Sequence, residues 1–328
     1  MSKSVESNGS IREISDTGLE STVVRQKTLK SSIGCTGVGL HSGQKVEMTL
    51  HPADAGAGIT FYRSDMGDDG RIPASWKNVT ETTLATTIAN DAGAHVGTIE
   101  HLMAALAGCG IDNAVIELDG PEVPVMDGSA APFVFLIECA GVTFQKAARR
   151  AILVEKPVRV GNDDKFIALS PAPSFGVSFA IEFDSAAVSR QSVDMQLVNG
   201  AFKNDISRAR TFGFAHEVDA MRKAGLARGG SLENAVVIEG DTILNKDGLR
   251  YEDEFVRHKV LDCVGDLYLA GAPIIGRIDA LRSGHALNHE LLCALFADDS
   301  AWSYKEFSDA LVPGTAHGAE PEAVAATA

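Results

Sequence analysis

TIEHLMAALA, residues 98–107, carries apolar side chains at positions i, i+3, i+4 and i+7, namely Ile99, Leu102, Met103 and Leu106. This spacing predicts an α-helix with one apolar face, for which Thr98 is a suitable N-cap and Gly108 a suitable C-terminal stop. Short runs typical of strands lie on both sides of it, KVEMTL at 45–50 and AVIEL at 114–118. A core built from both kinds of element indicates an α+β protein.

The second half of the chain shows the same mixture of signals. A basic, alanine-rich stretch at 145–151, QKAARRA, is typical of a connector. Beyond it, the pattern predicts strands at 152–160 and 177–183 and helices at about 214–224, 254–270 and 285–297. We therefore expect an N-terminal domain over residues 25–147 and a C-terminal domain over 148–303, with no sequence repeat between them.

The two ends differ from this pattern. Residues 1–24 are polar and aperiodic, which predicts a disordered arm, and residues 304–328 are expected to form a loose tail. Neither these ends nor the rest of the chain contains the roughly 20 consecutive apolar residues of a membrane helix. We therefore expect a protein without stable membrane insertion.

Charge and cysteine content narrow the function classes further. The 328 residues include 29 Lys and Arg against 44 Asp and Glu, a formal net charge of −15. Such a surface repels a phosphate backbone, which argues against nucleic-acid binding but not against one small anionic ligand. Five widely spaced cysteines without a C-x-x-C pair favour a reduced, cytoplasmic location.

A His and an Asp stand four residues apart in EDEFVRHKVLDCVGD, residues 252–266. On a helix, His258 and Asp262 lie one turn apart on the same face and can bind one metal ion. Imidazole and carboxylate suit zinc or ferrous iron, with a third ligand and a water completing the site. The alternative is a solvated pair, because H-x-x-x-D is a common helical spacing.

Glu100 and His101 lie in the first turn of the predicted apolar helix, an unfavourable place for charged groups without a function. Adjacent helical residues point about 100° apart and should not ligate the same ion. His101 is therefore the candidate third ligand, and Glu100 the candidate general base for a bound water. In the alternative, Glu100 interacts with the helix dipole and His101 lies at the edge of the core.

A third histidine cluster occurs in LRSGHALNH, residues 281–289. His285 follows a Ser-Gly turn signal and could donate a proton or stabilise an oxyanion if a carboxylate such as Asp266 keeps it protonated. A rival interpretation makes His285 and His289 a metal-binding pair of their own. A helix N-terminus with incidental histidines is the third possibility.

Two further stretches could bind a phosphate ester. SRARTF, residues 207–212, supplies Arg208, Arg210 and the Thr211 hydroxyl. Gly229–Gly230–Ser231 is a weak phosphate-loop signal without the usual lysine, and a turn is the better interpretation.

Together, these stretches resemble one family, the zinc-dependent UDP-3-O-acyl-N-acetylglucosamine deacetylases of lipid A biosynthesis. The resemblance extends from about residue 25 to 300 and rests on six motifs in order: TGVGLHSG (36–43), TIEHLMAALAGCGIDN (98–113), PVMDGSAAPF (124–133), SRARTFGF (207–214), DGLRYEDEFVRHKVLDCVGDL (247–267) and SGHALN (283–288). It implies two similar α+β domains, each a β-sheet layered with helices. The helices of the two domains pack face to face, and the active site lies between the domains.

The resemblance also implies two inserts, near 80–97 and, as a βαβ unit, near 213–238. The second forms an apolar passage for a fatty acyl chain. It further implies a role for each of the following residues: the metal ligands His101, His258 and Asp262, the catalytic residues Glu100, His285, Asp266 and Thr211, the substrate-binding residues Lys259 and Phe212, and the candidate passage residues Val218, Leu226, Ser231 and Val237. His41 and Asp127 are motif residues for which a structural role near the cleft is expected.

The activity implied is hydrolysis of the N-acetyl group of an acylated UDP-amino sugar, releasing acetate. One Zn²⁺ per chain is implied, with Fe²⁺ as a possible substitute, in a monomer. The proton could be returned to the leaving amine by Glu100 alone or by His285. The alternative function is a non-catalytic module that binds a sugar nucleotide or an acyl chain, in which the histidines are structural.

Overall fold

The structure is a computed structural model, which describes residues 10–14, 20–198 and 200–306. Alternating apolar residues form short strands in both halves of the chain, and continuous apolar stretches form the central helices. The elements of the N-terminal half are β1 (Ser10–Ile14), β2 (Glu20–Leu29), β3 (Ile33–Val38), β4 (Lys45–Pro52), β5 (Ile59–Arg63), β6 (Arg71–Pro73), β7 (Val79–Glu81), β8 (Thr87–Ala89), β9 (His95–Val96), α1 (Glu100–Cys109), β10 (Ala114–Leu118), α2 (Ala131–Ala140) and β11 (Val142–Ala148).

The C-terminal half continues without a long connection. Its elements are β12 (Arg150–Val154), β13 (Val158–Gly161), β14 (Phe166–Ser170), β15 (Gly176–Glu182), β16 (Arg190–Gln196), β17 (Phe212–Phe214), α3 (Ala215–Lys223), β18 (Val236–Glu239), β19 (Thr242–Ile243), α4 (Glu254–Leu267), β20 (Ile274–Ile275), β21 (Arg277–Leu281), α5 (His285–Ala297) and β22 (Trp302–Glu306).

The two halves share one topology, although their sequences show no repeat. The central sheets have the strand orders β3-β4-β10-β5-β6 and β13-β14-β21-β15-β16. In each, two antiparallel hairpins are followed by a helix and then by the middle strand, which pairs in parallel with one hairpin and antiparallel with the other. Helix α5 packs on β13 and β14, and α4 on β15 and β16. The α+β prediction is confirmed.

Helices α1 and α4 pack against each other at the centre of the molecule. Every residue of α1 from Glu100 to Leu106 is buried, so the helix is enclosed on all sides rather than on one apolar face. The Thr98 N-cap prediction is wrong: Ile99 occupies the N-cap position without a capping side-chain hydrogen bond, and the Thr98 hydroxyl donates to Glu122 at 2.9 Å.

Gly265 allows the α1 and α4 backbones to approach closely. A Cβ at this position would lie 2.8 Å from the carbonyl carbon of Glu100 and 3.1 Å from the Ala104 nitrogen. Both neighbours are backbone atoms, which cannot move aside by a change of rotamer. The absence of a side chain at Gly265 therefore determines how near the first turn of α1 comes to α4.

Each half places a small sheet just before its central helix. Strands β7, β8 and β9 form a sheet between β6 and α1, over residues 79–96. In the second half, β17 and β18 are parallel strands joined by α3, and β19 completes their sheet. The chain thus forms a strand-helix-strand unit over residues 212–239, immediately before α4.

The two terminal segments contain strands, although their composition predicts an irregular structure. A disordered arm is expected over residues 1–24, but β1 and the first half of β2 lie there. Strand β2 pairs with β11, and β1 pairs with β2. Residues 1–9 and 15–19 lie outside the described residues, as do 307–328 of the expected tail. Strand β22 pairs with β12 and extends to Glu306.

The stretch at 145–151 joins the two halves of the chain as strand rather than as a loop. It contains the end of β11, whose pairing with β2 is irregular between Phe144 and Ala148, and the start of β12, which pairs with β22.

Gly265→Ala should destabilise the protein by about 1–3 kcal/mol, because the added methyl overlaps backbone of α1 and the gain in helix propensity is smaller than this cost. Thermal unfolding monitored by circular dichroism measures the change. Gly213→Ala is the matched control, since a Cβ there meets only Val218 at an ordinary 3.7 Å. Equal melting temperatures for the two variants would contradict this account of the helix contact.

Candidate active site

Three side chains from α1 and α4 converge where the two helices meet. His101, His258 and Asp262 are all buried, and one ligand atom of each lies within 4.8 Å of the others. Asp262 Oδ1 lies 3.3 Å from His258 Nε2 and 3.6 Å from His101 Nε2. The structure therefore brings together one residue from the first half of the chain and two from the second.

The donor set fits a divalent metal ion. Asp262 Oδ2 accepts a hydrogen bond from Lys259 Nζ at 2.8 Å, whereas Oδ1 is buried without a hydrogen-bond partner among the described residues. His258 Nδ1 donates to the Ala209 carbonyl at 3.1 Å, which turns Nε2 toward Asp262. An unpaired buried carboxylate oxygen facing two imidazole nitrogens is unfavourable unless a cation lies between them.

The surroundings of these three side chains favour the protonation states in which they can bind a metal ion. Burial and the neighbouring His258 lower the pKa of His101 to about 3, and burial lowers the pKa of His258 as well. Burial opposes ionisation of Asp262, but His258 and Lys259 outweigh it and hold the pKa of that carboxyl well below its usual range. Two neutral imidazoles and one carboxylate are the forms that bind zinc.

Glu100 lies beside the cluster but outside it. Burial raises the pKa of its carboxyl to about 7, with His285 opposing the shift. Glu100 Oε1 is 4.0 Å from His285 Nε2. This carboxylate can therefore exchange a proton near neutral pH, which is the property that a general base requires.

His285 forms a buried pair with Asp266. Its Nδ1 donates to Asp266 Oδ2 at 2.8 Å, and Asn288 Nδ2 donates to the same oxygen at 2.8 Å. Burial lowers the pKa of His285, but the Asp266 and Glu100 carboxylates outweigh burial and raise it to about 9. The imidazole is therefore cationic at neutral pH and faces the general-base candidate.

Two residues of this network were missed by the sequence analysis. The Thr86 hydroxyl donates to Asp266 Oδ1 at 2.6 Å, and the Thr86 amide donates to Glu100 Oε2 at 3.0 Å. No local pattern distinguishes Thr86 from the other threonines of residues 80–87. Asn288 could have been found, because it follows His285 by three residues in SGHALN and so lies on the same face of α5.

Thr211 is placed by its backbone. Its amide donates to the Gly128 carbonyl at 2.8 Å, and its carbonyl accepts from the Val236 amide at 2.8 Å. The next residue, Phe212, has its ring centroid 6.3 Å from that of His258. The loop that carries Thr211 and Phe212 therefore lies beside His258 of α4.

The proposed phosphate contact of Arg210 is wrong. Its guanidinium is buried in a two-point ion pair with Glu254, with Nε–Oε1 and Nη2–Oε2 distances of 2.8 and 3.0 Å. This pair joins the Thr211 loop to the first residue of α4. The turn interpretation of Gly229–Gly230–Ser231 agrees with the hydrogen bonds from Gly229 N to Leu40 O and from Gly230 N to Ala227 O.

The candidate passage residues all belong to the 212–239 unit. Val218 and Val237 are half-buried, whereas Leu226 and Ser231 are exposed. Val218 lies beside Gly213, and Val237 is held by a hydrogen bond from its amide to Asn245 Oδ1 at 2.9 Å. The unit docks on the GLHSG loop, since the Arg228 and Gly229 amides donate to the His41 and Leu40 carbonyls.

A cavity of about 450 Å³ opens next to the metal cluster, with Lys259 in its wall. Lys165 and Arg282 add two more cations to the lining, and Phe183 adds an aromatic ring. The ring of Phe183 packs edge-on against Phe212 at 5.7 Å between centroids. Asp164 and Glu182 also line the cavity, so its wall carries three cationic side chains and two carboxylates beside the aromatic ring.

His289 and His41 lie outside the metal cluster. His289 Nε2 is 3.5 Å from Cys293 Sγ, and His285 is engaged by Asp266, so the two do not form the rival pair. His41 is held by Glu122, which accepts from the amides of His41 and Ser42 at 2.8 Å each. Within the described ranges, both ring nitrogens of His41 are buried without a partner.

The fold and site define a class. A buried His-His-Asp cluster, with a proton-exchanging carboxylate and a cationic imidazole at its edge, is the arrangement of a metal-dependent hydrolase. Three candidate ligands are the number found in catalytic rather than structural zinc sites.

A sequence model of one family, described as LpxC: UDP-3-O-acyl N-acetylglycosamine deacetylase, matches residues 26–297. The chain belongs to this family. Proteins named UDP-3-O-acyl-N-acetylglucosamine deacetylase are similar to it over nearly their whole length. The one from Acidithiobacillus ferrooxidans is 49% identical over 293 residues, which cover 89% of this chain and 96% of the relative.

The relative from Saccharophagus degradans is 50% identical over 289 residues, 88% of this chain and 95% of its own length. That from Shewanella oneidensis is 49% identical over 301 residues, 90% and 98% of the two chains. These names agree with the resemblance stated from the motifs and do not favour a non-catalytic binding module. No α-helix within the described ranges combines the length and apolar character that crossing a bilayer requires.

Asp262→Ala should abolish stoichiometric metal binding, because it removes the buried oxygen between the two imidazoles. His289→Ala is the matched control and should retain about one metal ion per chain. Metal analysis by mass spectrometry, on samples whose fold is verified by circular dichroism, measures both. Loss of metal from His289→Ala with retention in Asp262→Ala would instead favour a site on α5.

Proposed function

We propose that the protein removes the N-acetyl group of UDP-3-O-acyl-N-acetylglucosamine by hydrolysis, releasing acetate, in lipid A biosynthesis. The observation that carries this proposal is the unpartnered Asp262 oxygen between two imidazoles, with the Glu100 carboxylate beside it. A module that only binds a ligand has no need for a base next to an open metal position. The names of the relatives supply the substrate class.

We assign one Zn²⁺ per chain to His101, His258 and Asp262. Ferrous iron fits the same donor set. When bound, such an ion acidifies a water molecule and polarises the amide carbonyl. Lys259 holds the second oxygen of Asp262, so that this carboxylate offers one oxygen to the ion.

Glu100 is the general base in this proposal. Its Oε2 is held by the Thr86 amide, which leaves Oε1 to take the proton of the attacking water. A pKa near 7 divides the carboxyl between its two forms, so Glu100 can also return that proton to the leaving amine.

His285 and Thr211 are assigned to the oxyanion. The His285 imidazolium, kept cationic by Asp266, places positive charge beside the reacting carbon, and the Thr211 hydroxyl donates from the opposite loop. Removing one such donor typically lowers the rate by about 10²–10³-fold. His285 is also a second candidate for protonating the amine, since its Nε2 faces Glu100.

The substrate's two ends are assigned to different parts of the site. Lys259 and the cavity that it lines with Lys165, Arg282 and Phe183 suit the diphosphate and the uracil. Phe212 borders the sugar. The 212–239 unit, with Val218, Leu226, Ser231 and Val237, is assigned to the acyl chain.

We place the enzyme in the cytoplasm as a monomer. All five cysteine side chains, each within the described residues, are free thiols, which agrees with a reducing compartment. All assigned ligands and catalytic groups come from one chain, so the site needs no second copy to be complete.

Glu100→Gln should lower kcat for acetate release by about 10²–10⁴-fold while keeping the metal, because the amide preserves the shape but cannot accept a proton. Acetate release and metal content are measured on the same sample. His101→Ala is the comparison and should lose metal and activity together. Chelator treatment of the wild type should abolish activity, and added zinc should restore it. Loss of metal from Glu100→Gln would make Glu100 a ligand rather than the base.

The rate should fall at high pH as His285 loses its proton. Asp266, Glu100 and Asp262 all raise the pKa of His285, so the cationic form persists up to about pH 9. Above that pH, kcat/KM should decrease about tenfold per pH unit. His285→Gln should be slow and should lack this basic limb in a pH–rate profile. An unchanged limb in the variant would assign it to another group.

A further inference from the structure

We propose that Thr86 is a positioning residue for deacetylation, which orients the carboxylates of both Glu100 and Asp266. The inference rests on the proposed function, because it concerns the groups assigned to proton transfer there. Thr86 lies between β7 and β8, in the small sheet that precedes α1 and apart from the helices that carry the other proton-transfer groups. Only 2% of its surface is exposed.

The Thr86 hydroxyl completes the hydrogen bonding of Asp266. Thr86 Oγ1 donates its one proton to Asp266 Oδ1 at 2.6 Å, and the same oxygen lies 3.3 Å from His285 Nδ1, whose shorter contact is with Asp266 at 2.8 Å. Oδ2 accepts from His285 Nδ1 and Asn288 Nδ2 at 2.8 Å each. With both oxygens engaged, the carboxylate is held in the plane that faces the imidazole. Without the hydroxyl, Oδ1 would be a buried oxygen with one donor fewer, and the carboxylate could turn away from His285.

The backbone of the same residue orients the general base. Glu100 Oε2 accepts the Thr86 amide at 3.0 Å, whereas Oε1 lies 4.0 Å from His285 Nε2. One oxygen is therefore anchored and the other is directed toward the reacting groups. Because the amide belongs to the main chain, substitutions of the Thr86 side chain separate the Asp266 contact from the Glu100 contact.

The backbone on either side of Thr86 fixes the position of this residue in the site. Leu84 has a φ of 66°, which is unfavourable for a leucine, and its side chain is 49% exposed. The chain then enters the core, with Ala85 and Thr86 both buried. The Thr86 carbonyl accepts the Ile99 amide at 3.3 Å, one residue before α1 begins. The hydroxyl of Thr86 thus ties the small sheet to α4, and its amide and carbonyl tie the sheet to the start of α1.

Thr86→Val tests the hydroxyl, since it keeps the shape and the amide. We expect kcat to fall at least tenfold, with KM within about twofold and one metal ion retained per chain. Thr86→Ser keeps the hydroxyl and should stay within about threefold of the wild type. Thr87→Val is the matched control at the next position, whose hydroxyl faces Gly97, and should be near wild type. Should Thr86→Val not fold, Thr86→Ala removes the same hydroxyl without a valine methyl in its place and is judged by the same criteria.

A double-mutant cycle separates positioning from general packing. In an Asp266→Asn background, Thr86→Val should change kcat by no more than about twofold, because the partner through which it acts is already altered. A full additional tenfold loss there, an unchanged kcat in Thr86→Val, or equal losses in Thr86→Val and Thr86→Ser would overturn the inference. A metal-loaded wild type without acetate release would overturn the proposed function itself.

Discussion

The site depends on the close approach of α1 and α4 at Gly265. Glu100, whose carbonyl would contact any side chain at this position, precedes the metal-ligand candidate His101 by one residue. Asp262 precedes Gly265 by three residues, which is nearly one helical turn. The contact that packs the two halves of the core is therefore also the contact that brings ligands from both halves within reach of one ion. A bulkier residue at position 265 would separate the ligands as well as the helices.

The buried histidines of the site differ in protonation state because their neighbours differ. His101 faces another imidazole and a cation-paired carboxylate, and its pKa falls to about 3. His285 is equally buried but faces two carboxylates, and its pKa rises to about 9. Desolvation disfavours the cation in both cases, so the carboxylates decide the outcome at His285. The same core thus holds neutral imidazoles suited to a metal and a cationic imidazole suited to an oxyanion.

Local sequence pattern predicted the parts of the site that lie on helices. The spacing of His258 and Asp262, and the position of Glu100 and His101 in an apolar helix, follow from helical periodicity, and α5 begins at His285 as the pattern indicated. What periodicity could not predict are contacts between distant elements. Thr86 lies 180 residues from Asp266 in sequence, and Gly265 resembles any other helical glycine until α1 is placed against it. Strand β2 could not be predicted because the residues up to 24 are polar and show no apolar alternation, and the strand is defined by its pairing with the distant β11.

The shared topology of the two halves explains why both small sheets reach the same place. In each half, the segment between the second hairpin and the central helix directly precedes α1 or α4 in sequence. It therefore lies near the N-terminal end of that helix. The first segment places Thr86 against the carboxylates of Glu100 and Asp266, and the second places Phe212, the residue after Thr211, beside His258. Because α1 and α4 pack together, the two segments meet around one cluster. The shared topology of the two halves therefore yields one asymmetric site, because the two segments bring different residues to it.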